Sequence, residues 1–309
     1  MDYANFEQAR ERLAPHLPPT PLVESDGLHL KLESLQPTGA FKVRPAMNSL
    51  LADLDRAKRK GVVTSSSGNF AQAVAWAATR LGVDAQIVMQ RAASDFKRNR
   101  TRNFGGAVIP CDNTMEARAE ATRRIVEETG RLLVHPYDSD ETLAGDATVG
   151  LELLDQMDGD FCVVAPISGG GLIGGIAAAV KQRRPGCQVI GVQPEANPSM
   201  RASIDADQRT SVSPKPSVAD ALVVSKPGER GFRMAQQYVD DVVLVSDDQM
   251  IDAVRRLAVQ AKVVAEAGGA APVAAVQSQK VRAGDLPIVC IISGGNVEPA
   301  KFAAWLADA

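Results

Sequence analysis

The sequence predicts an α/β protein whose sheets are open, twisted and mostly parallel. Two observations carry that prediction. Eight short runs rich in Val and Ile recur along the chain, and stretches rich in Ala or in charge, with helical periodicity, separate them. Strands this apolar, alternating with helices, belong to parallel sheets covered on both faces.

Taken in order, residues 61–67, 84–90, 107–112 and 131–137 read as strands, and 69–82, 94–105 and 114–130 between them as helices. The second half repeats the rhythm. Residues 161–168 precede a Gly-rich turn and an Ala-rich helix; strands at 188–195, 240–247 and 287–293 follow. The least regular segment, 193–218, is rich in Pro, Ser and Asp and reads as a surface excursion. No repeat with a period of about 20–50 residues recurs, which excludes solenoids and propellers.

At 309 residues the chain forms one large or two medium domains, with a core that needs no staples. Hydrophobic residues at 45% and charged ones at 23% exclude disorder. A net charge of −3 argues against a nucleic-acid stripe or a polybasic membrane patch. No apolar stretch approaches the roughly eighteen residues of a membrane span, and the amphipathic start is no signal peptide. A cytoplasmic location is therefore expected by default. Sixteen residues follow the last predicted strand, so no appended regulatory domain is expected.

Cys111, Cys162, Cys187 and Cys290 form no C-x-x-C pair, and Cys162 and Cys290 read as buried free thiols. His16, His29 and His135 show no ligand spacing, which leaves a zinc site or a His-dependent triad unsupported. The chemistry must use another base.

Four loops stand where open α/β sheets gather ligands, outside the carboxyl ends of strands. Ser65-Ser66-Ser67-Gly68-Asn69 offers hydroxyls and N–H donors to a carboxylate or phosphate, or is an ordinary N-cap cluster. Ser168-Gly169-Gly170-Gly171-Leu172 lets backbone N–H groups approach a phosphate at a helix start. That loop, extended to Gly174, also satisfies G-x-G-x-x-G with Glu195 some twenty residues on, which keeps an NAD-dependent oxidoreductase open. Ser293-Gly294-Gly295-Asn296 places a hydroxyl that can meet a ring nitrogen without imposing a charge. Lys42, between an apolar flank and a helix start, would carry a nucleophilic amine if desolvated. Together these are the parts of a pyridoxal 5′-phosphate (PLP) site.

In this order the motifs resemble those of fold-type-II PLP enzymes, the threonine/serine dehydratase and serine racemase family. Thr20-Pro21-Leu22, Lys31-Leu32-Glu33, Gly39 to Arg44, Ser66 to Asn69, Ser168 to Leu172 and Ser293 to Asn296 carry the resemblance across nearly the whole chain. It implies two open, twisted, mostly parallel-sheet domains of the tryptophan-synthase-β-like kind. Residues 1–47 plus 140–309 would form the large PLP-binding domain, and 48–139 a small substrate-clamping one. Lys42 would hold PLP as a Schiff base and then abstract the α-proton of the substrate. Phe41 would pack near the ring, Asn69 would bond its phenolic oxygen, and Ser293 would meet its nitrogen. Gly169, Gly170, Gly171 and Leu172 would hold the phosphate; Ser66, Ser67 and Gly68 would clamp the substrate carboxylate. Ser67 stands where racemases keep a second base. A small-molecule amino acid is the implied partner, and a homodimer the implied assembly.

Several positions depart from the family pattern. Phe70 replaces a His, and Ala144-Gly145-Asp146-Ala147-Thr148 replaces the common Ala-Gly-Gln-Gly-Thr, altering polarity near the cleft. Glu266-Ala267-Gly268-Gly269 stands for Glu-Pro-Ser-Gly, with Glu266 facing the ring or merely structural. Gln193 and Ser199 occupy places where metal-dependent relatives keep carboxylates, so no metal is expected. Arg118 would face a second carboxylate or polar β-substituent if it points inward, or it belongs to a solvated ladder with Glu116, Glu120 and Arg123. The expected reaction is α,β-elimination from a β-hydroxy amino acid such as L-threonine, L-serine or a 3-hydroxy analogue. Racemisation on the same site is the alternative, and a non-catalytic PLP-binding scaffold a further one.

Overall fold

A computed structural model describes residues 2–307. Ten strands form two sheets: β1 (Leu22–Ser25), β2 (Leu28–Lys31), β3 (Val62–Ser65), β4 (Ala85–Gln90), β5 (Ala107–Cys111), β6 (Leu132–Leu133), β7 (Cys162–Pro166), β8 (Gln188–Pro194), β9 (Asp241–Val245) and β10 (Ile288–Ile291). The six-stranded sheet runs β1-β2-β10-β7-β8-β9, and the four-stranded one β5-β4-β3-β6. Every pairing is parallel except β1 with β2. All eight predicted strands are present. The β1–β2 hairpin was not among them, although Asp26-Gly27, both at positive φ, is a strong hairpin turn signal.

Helices cover both sheets. Named in chain order, they are α1 (Tyr3–Leu13), α2 (Val43–Ala52), α3 (Leu54–Lys60), α4 (Asn69–Leu81), α5 (Asp95–Asn103), α6 (Met115–Thr129), α7 (Asp140–Gln156), α8 (Gly171–Arg183), α9 (Ser199–Asp205), α10 (Glu229–Tyr238), α11 (Asp247–Arg256), α12 (Ala267–Gln277) and α13 (Pro299–Ala307). Ser94 and Thr114 cap α5 and α6 by accepting from the N–H groups of Lys97 and Ala117, and left-handed Gly82 and Gly130 end α4 and α6. Strand alternation separates the cores. Cys162, Val164, Ile190 and Cys290 join one cluster, whereas Val163, Val189 and Val289 join another on the opposite face.

Small residues bring α7 close to its neighbours. A Cβ on Gly145 would lie 2.6 Å from Pro45 Cα of α2, and one on Gly175 of α8 would lie 2.7 Å from Ala147 N. Asp146 is thereby wedged between the start of α2 and the start of α8.

The surface excursion expected at 193–218 is only partly one. Gln193, Asn197, Ser199, Met200 and Ser203 are buried, because β8 continues to Pro194 and α9 folds back over the sheet. Gln193 Oε1 accepts from Met200 N and Arg201 N at 2.9 and 3.0 Å. Its amide thus caps α9. Among the described residues, no helix is long and apolar enough to cross a membrane, and all four cysteines are buried and free.

Candidate active site

The loops that follow β3, β7 and β10 converge with the start of α2 on one cavity of about 1090 Å³. Its wall contains Phe41, Lys42, Ser66, Ser67, Gly68, Asn69, Arg118, Gly169, Gly170, Gly171, Leu172 and Ser293. Every residue expected at the site therefore lines it. Glu195 does not: it is exposed and pairs with Lys280 at 3.2 Å. The twenty-residue spacing behind the dinucleotide reading leads away from the cavity.

Lys42 is held by the motif around it. Phe41 N donates to Ser293 O at 2.9 Å, which pins the start of α2 against the turn after β10. Lys42 Nζ donates to Pro136 O at 2.8 Å and lies 4.7 Å from the Phe41 ring centroid and 5.7 Å from that of Phe70. Burial pushes the amine below its ordinary value, with Asp146 opposing. Phe70 completes this apolar wall.

Beneath Lys42 lies a buried charge network that explains the other opening motifs. Arg44 spans Glu33 and Glu152: Nε donates to Glu33 Oε2 at 2.8 Å and Nη1 to Glu152 Oε1 at 2.6 Å. Lys31 Nζ reaches Glu152 Oε2 at 2.5 Å, and Thr20 Oγ1 donates to Glu33 Oε1 at 2.6 Å. Burial pushes the Glu33 carboxyl up, but Arg44, Lys31 and Thr20 together outweigh it and hold the group below its ordinary value. Burial lowers Lys31 against the pull of Glu152. Thr20, Lys31, Glu33 and Arg44 are thus a support rather than contacts to the reacting atoms.

A second network ties the starts of the segments after β3 and β10 to the stretch before α2 and to the N-cap of α12. Asn296 Nδ2 donates to Thr38 O and to Asn69 Oδ1, both at 2.8 Å, and Asn69 Nδ2 donates to Glu266 Oε1 at 2.6 Å. Asn69 keeps one further N–H for a ligand. Burial pushes Glu266 up to about 7, opposed by the Asn69 bond.

The Gly loop has the shape of an anion cradle. Gly170 sits at φ 95°, where a side chain is strained, and a Cβ on Gly169 would enter the Tyr137 ring at 2.3 Å. Gly170 is the N-cap of α8 and offers no side-chain bond, so the first-turn N–H groups remain for a ligand. On the opposite loop Gly68 likewise caps α4 without a side-chain bond, and the buried Ser67 Oγ has no partner. Arg118 leaves the expected ladder. Arg123 pairs with Glu120 and Glu127, whereas Arg118 is half-buried in the cavity wall with Tyr137.

Several residues here were not singled out from sequence as site residues. Tyr137 packs on Gly169, and His135 Nδ1 accepts from Asp138 N at 2.9 Å, which fixes that turn. Lys97 of α5 pairs with Asp220 across the cavity mouth. Tyr137 and Gly169, and Lys97 and Asp220, lie far apart in sequence, so no local pattern pairs them.

A desolvated lysine, a glycine cradle at a helix start and an apolar ring wall define a PLP-binding cleft. The chain belongs to the pyridoxal-phosphate dependent enzyme family, whose profile matches residues 13–294. It is 42% identical over 271 residues to an L-threonine ammonia-lyase of Thermotoga maritima, covering 88% of this chain and 67% of that one. A catabolic L-threonine dehydratase of Staphylococcus aureus is 36% identical over 306 residues, covering 95% and 88%. Maize serine racemase superposes with a TM-score of 0.93 at 34% identity, covering 99% and 97%. The family match leaves no role for the dinucleotide alternative.

Proposed function

We propose that this enzyme eliminates water from a β-hydroxy amino acid, L-threonine or L-serine, and releases a 2-oxo acid and ammonia. The observation that carries this reading is the placing of the Lys42 amine, desolvated and facing the same cavity as the Gly169–Leu172 cradle. The two relatives reported above are named an L-threonine ammonia-lyase and a catabolic L-threonine dehydratase.

When bound, PLP supplies an electron sink for negative charge at the substrate α-carbon. In this reading the N–H groups of Gly169, Gly170, Gly171 and Leu172 hold its phosphate. Ser293 would meet the ring nitrogen, and Phe41 and Asn69 would help to hold the ring. Lys42 Nζ holds the cofactor and then takes the proton from the α-carbon; its lowered basicity favours the neutral amine that both roles require. Ser66, Ser67 and Gly68, at the start of α4, bind the substrate carboxylate with help from the helix dipole. Arg118 faces the β-substituent. The cleft lies between a domain of residues 1–47 plus 140–309 and one of residues 48–139. The Lys97–Asp220 pair bridges these two segments and helps exclude water.

The assay is direct: purified enzyme with L-threonine or L-serine should yield 2-oxo acid and ammonia in equal amounts. Formation of the D-amino acid without oxo acid would contradict the assignment. Racemisation stays a second reading because Ser67 Oγ is buried and unpartnered in the cavity. If Ser67 returns a proton, Ser67→Ala lowers the ratio of D-product to oxo acid by about 10²-fold or more. An unchanged ratio removes Ser67 from that role.

We also propose a cytoplasmic homodimer. Four buried free thiols support a reducing compartment. Leu35 and Val264, 62% and 52% exposed, line a shared groove that a second copy would cover. Sedimentation should give twice the chain mass, and a monomer at micromolar concentration would contradict it.

A further inference from the structure

We propose that Asp146 is the acid partner of the cofactor phosphate: with the phosphate seated, its neutral carboxyl donates an O–H bond to a phosphate oxygen, so cofactor and one solvent proton bind together. The inference rests on the reading that Gly169–Leu172 holds the phosphate.

Asp146 is fully buried, and neither of its carboxyl oxygens has a hydrogen-bond partner. Its position is set by the close packing of α7 against α2 and α8. Oδ2 lies 2.7 Å from where a Cβ on Gly171 would stand, so the carboxyl presses on the first turn of α8. A dry carboxylate and a phosphate dianion beside the same helix start repel each other with little screening.

The neighbouring charges relieve this only in part. Arg44 is committed to Glu33 and Glu152 through bonds of 2.6–2.8 Å. Glu33 adds negative potential at Asp146. The facing stretch of α8, Gly171 to Val180, contains no charged side chain, and the Tyr137 backbone next to Gly171 presents a carbonyl oxygen. Lys42 and, more weakly, Arg44 favour the charged carboxyl, and the proposed mechanism engages Lys42 with the cofactor.

Burial already pushes the carboxyl up to about 7, while Lys42 and Arg44 pull it down. A bound phosphate, and any loss of charge on Lys42, raise it further. The sign follows: above pH 7 the free site has lost this proton and the phosphate-bound site regains it, so affinity falls as pH rises. The carboxamide common at this position in the family would donate at any pH; a carboxyl donates only when protonated.

The test uses the full-length chain freed of cofactor, with pyridoxine 5′-phosphate and pyridoxine as probes; neither has an aldehyde to react with Lys42. Calorimetry in buffers of different ionisation enthalpy, between pH 7 and 9, counts protons. At pH 8 the phosphate ester should take up about one proton more than pyridoxine, and its Kd should weaken by about tenfold per pH unit relative to pyridoxine. Asp146→Asn should abolish the extra uptake and flatten the profile. Asp146→Gln carries the same expectation if the Asn variant does not fold. Absence of extra uptake in the wild type, or its persistence in a folded variant, overturns the role of Asp146 while leaving the cradle intact. If the phosphate confers no affinity over pyridoxine, the cradle assignment falls, and the inference with it.

Discussion

Lys42→Ala is expected to fold normally yet lose turnover by roughly 10³-fold or more, since one side chain both holds the cofactor and moves the α-proton. The native contacts allow that separation. Lys42 Nζ makes one hydrogen bond, to Pro136 O, and its loss leaves a carbonyl at the edge of a wide cavity. A structural role would give the opposite pattern, with a lowered unfolding midpoint and a proportionate loss of activity. Oxo-acid formation from L-threonine within about tenfold of wild type would remove Lys42 from the chemistry.

Arg44→Met should have the largest effect on stability, a loss of about 3–5 kcal/mol, because it leaves two buried carboxylates facing each other without their shared cation. Glu33 and Arg44 have relative exposures of 0% and 1%, so solvent cannot replace the guanidinium. Lys31 compensates only Glu152 directly. Exposed Arg123, paired with Glu120 on α6, provides the contrast: Arg123→Met should cost at most about 1 kcal/mol. Chemical denaturation of both variants checks the pair of values. A loss below about 1 kcal/mol for Arg44→Met would mean that the network is far wetter than its burial indicates.

What was legible in the sequence was what is local. The strands of both parallel sheets announce themselves through Val- and Ile-rich runs, and the ligand loops through Gly, Ser and Asn at strand ends. The β1–β2 hairpin was harder, since its four-residue strands carry Glu24, His29 and Lys31 and lack a clean apolar pattern. Lys31 is tolerated at 0% exposure because Glu152, 121 residues away, neutralises it, and Thr20 O and Gln156 Oε1 accept its remaining N–H bonds. Asp146 was visible as a substitution in a motif, but its environment is built by α2 and α8 after folding. Arg118 shows the same limit: its helix pattern fits a solvated ladder as well as a cavity wall, and only the placing of α6 decides between them.

Lys42 is the residue proposed to carry PLP. Borohydride reduction of the purified enzyme, followed by peptide mapping, tests that role most directly. One pyridoxyl group per chain, on the peptide containing Lys42, is the predicted result. Label on another lysine such as Lys97 or Lys31, or no label from protein saturated with PLP, would contradict it.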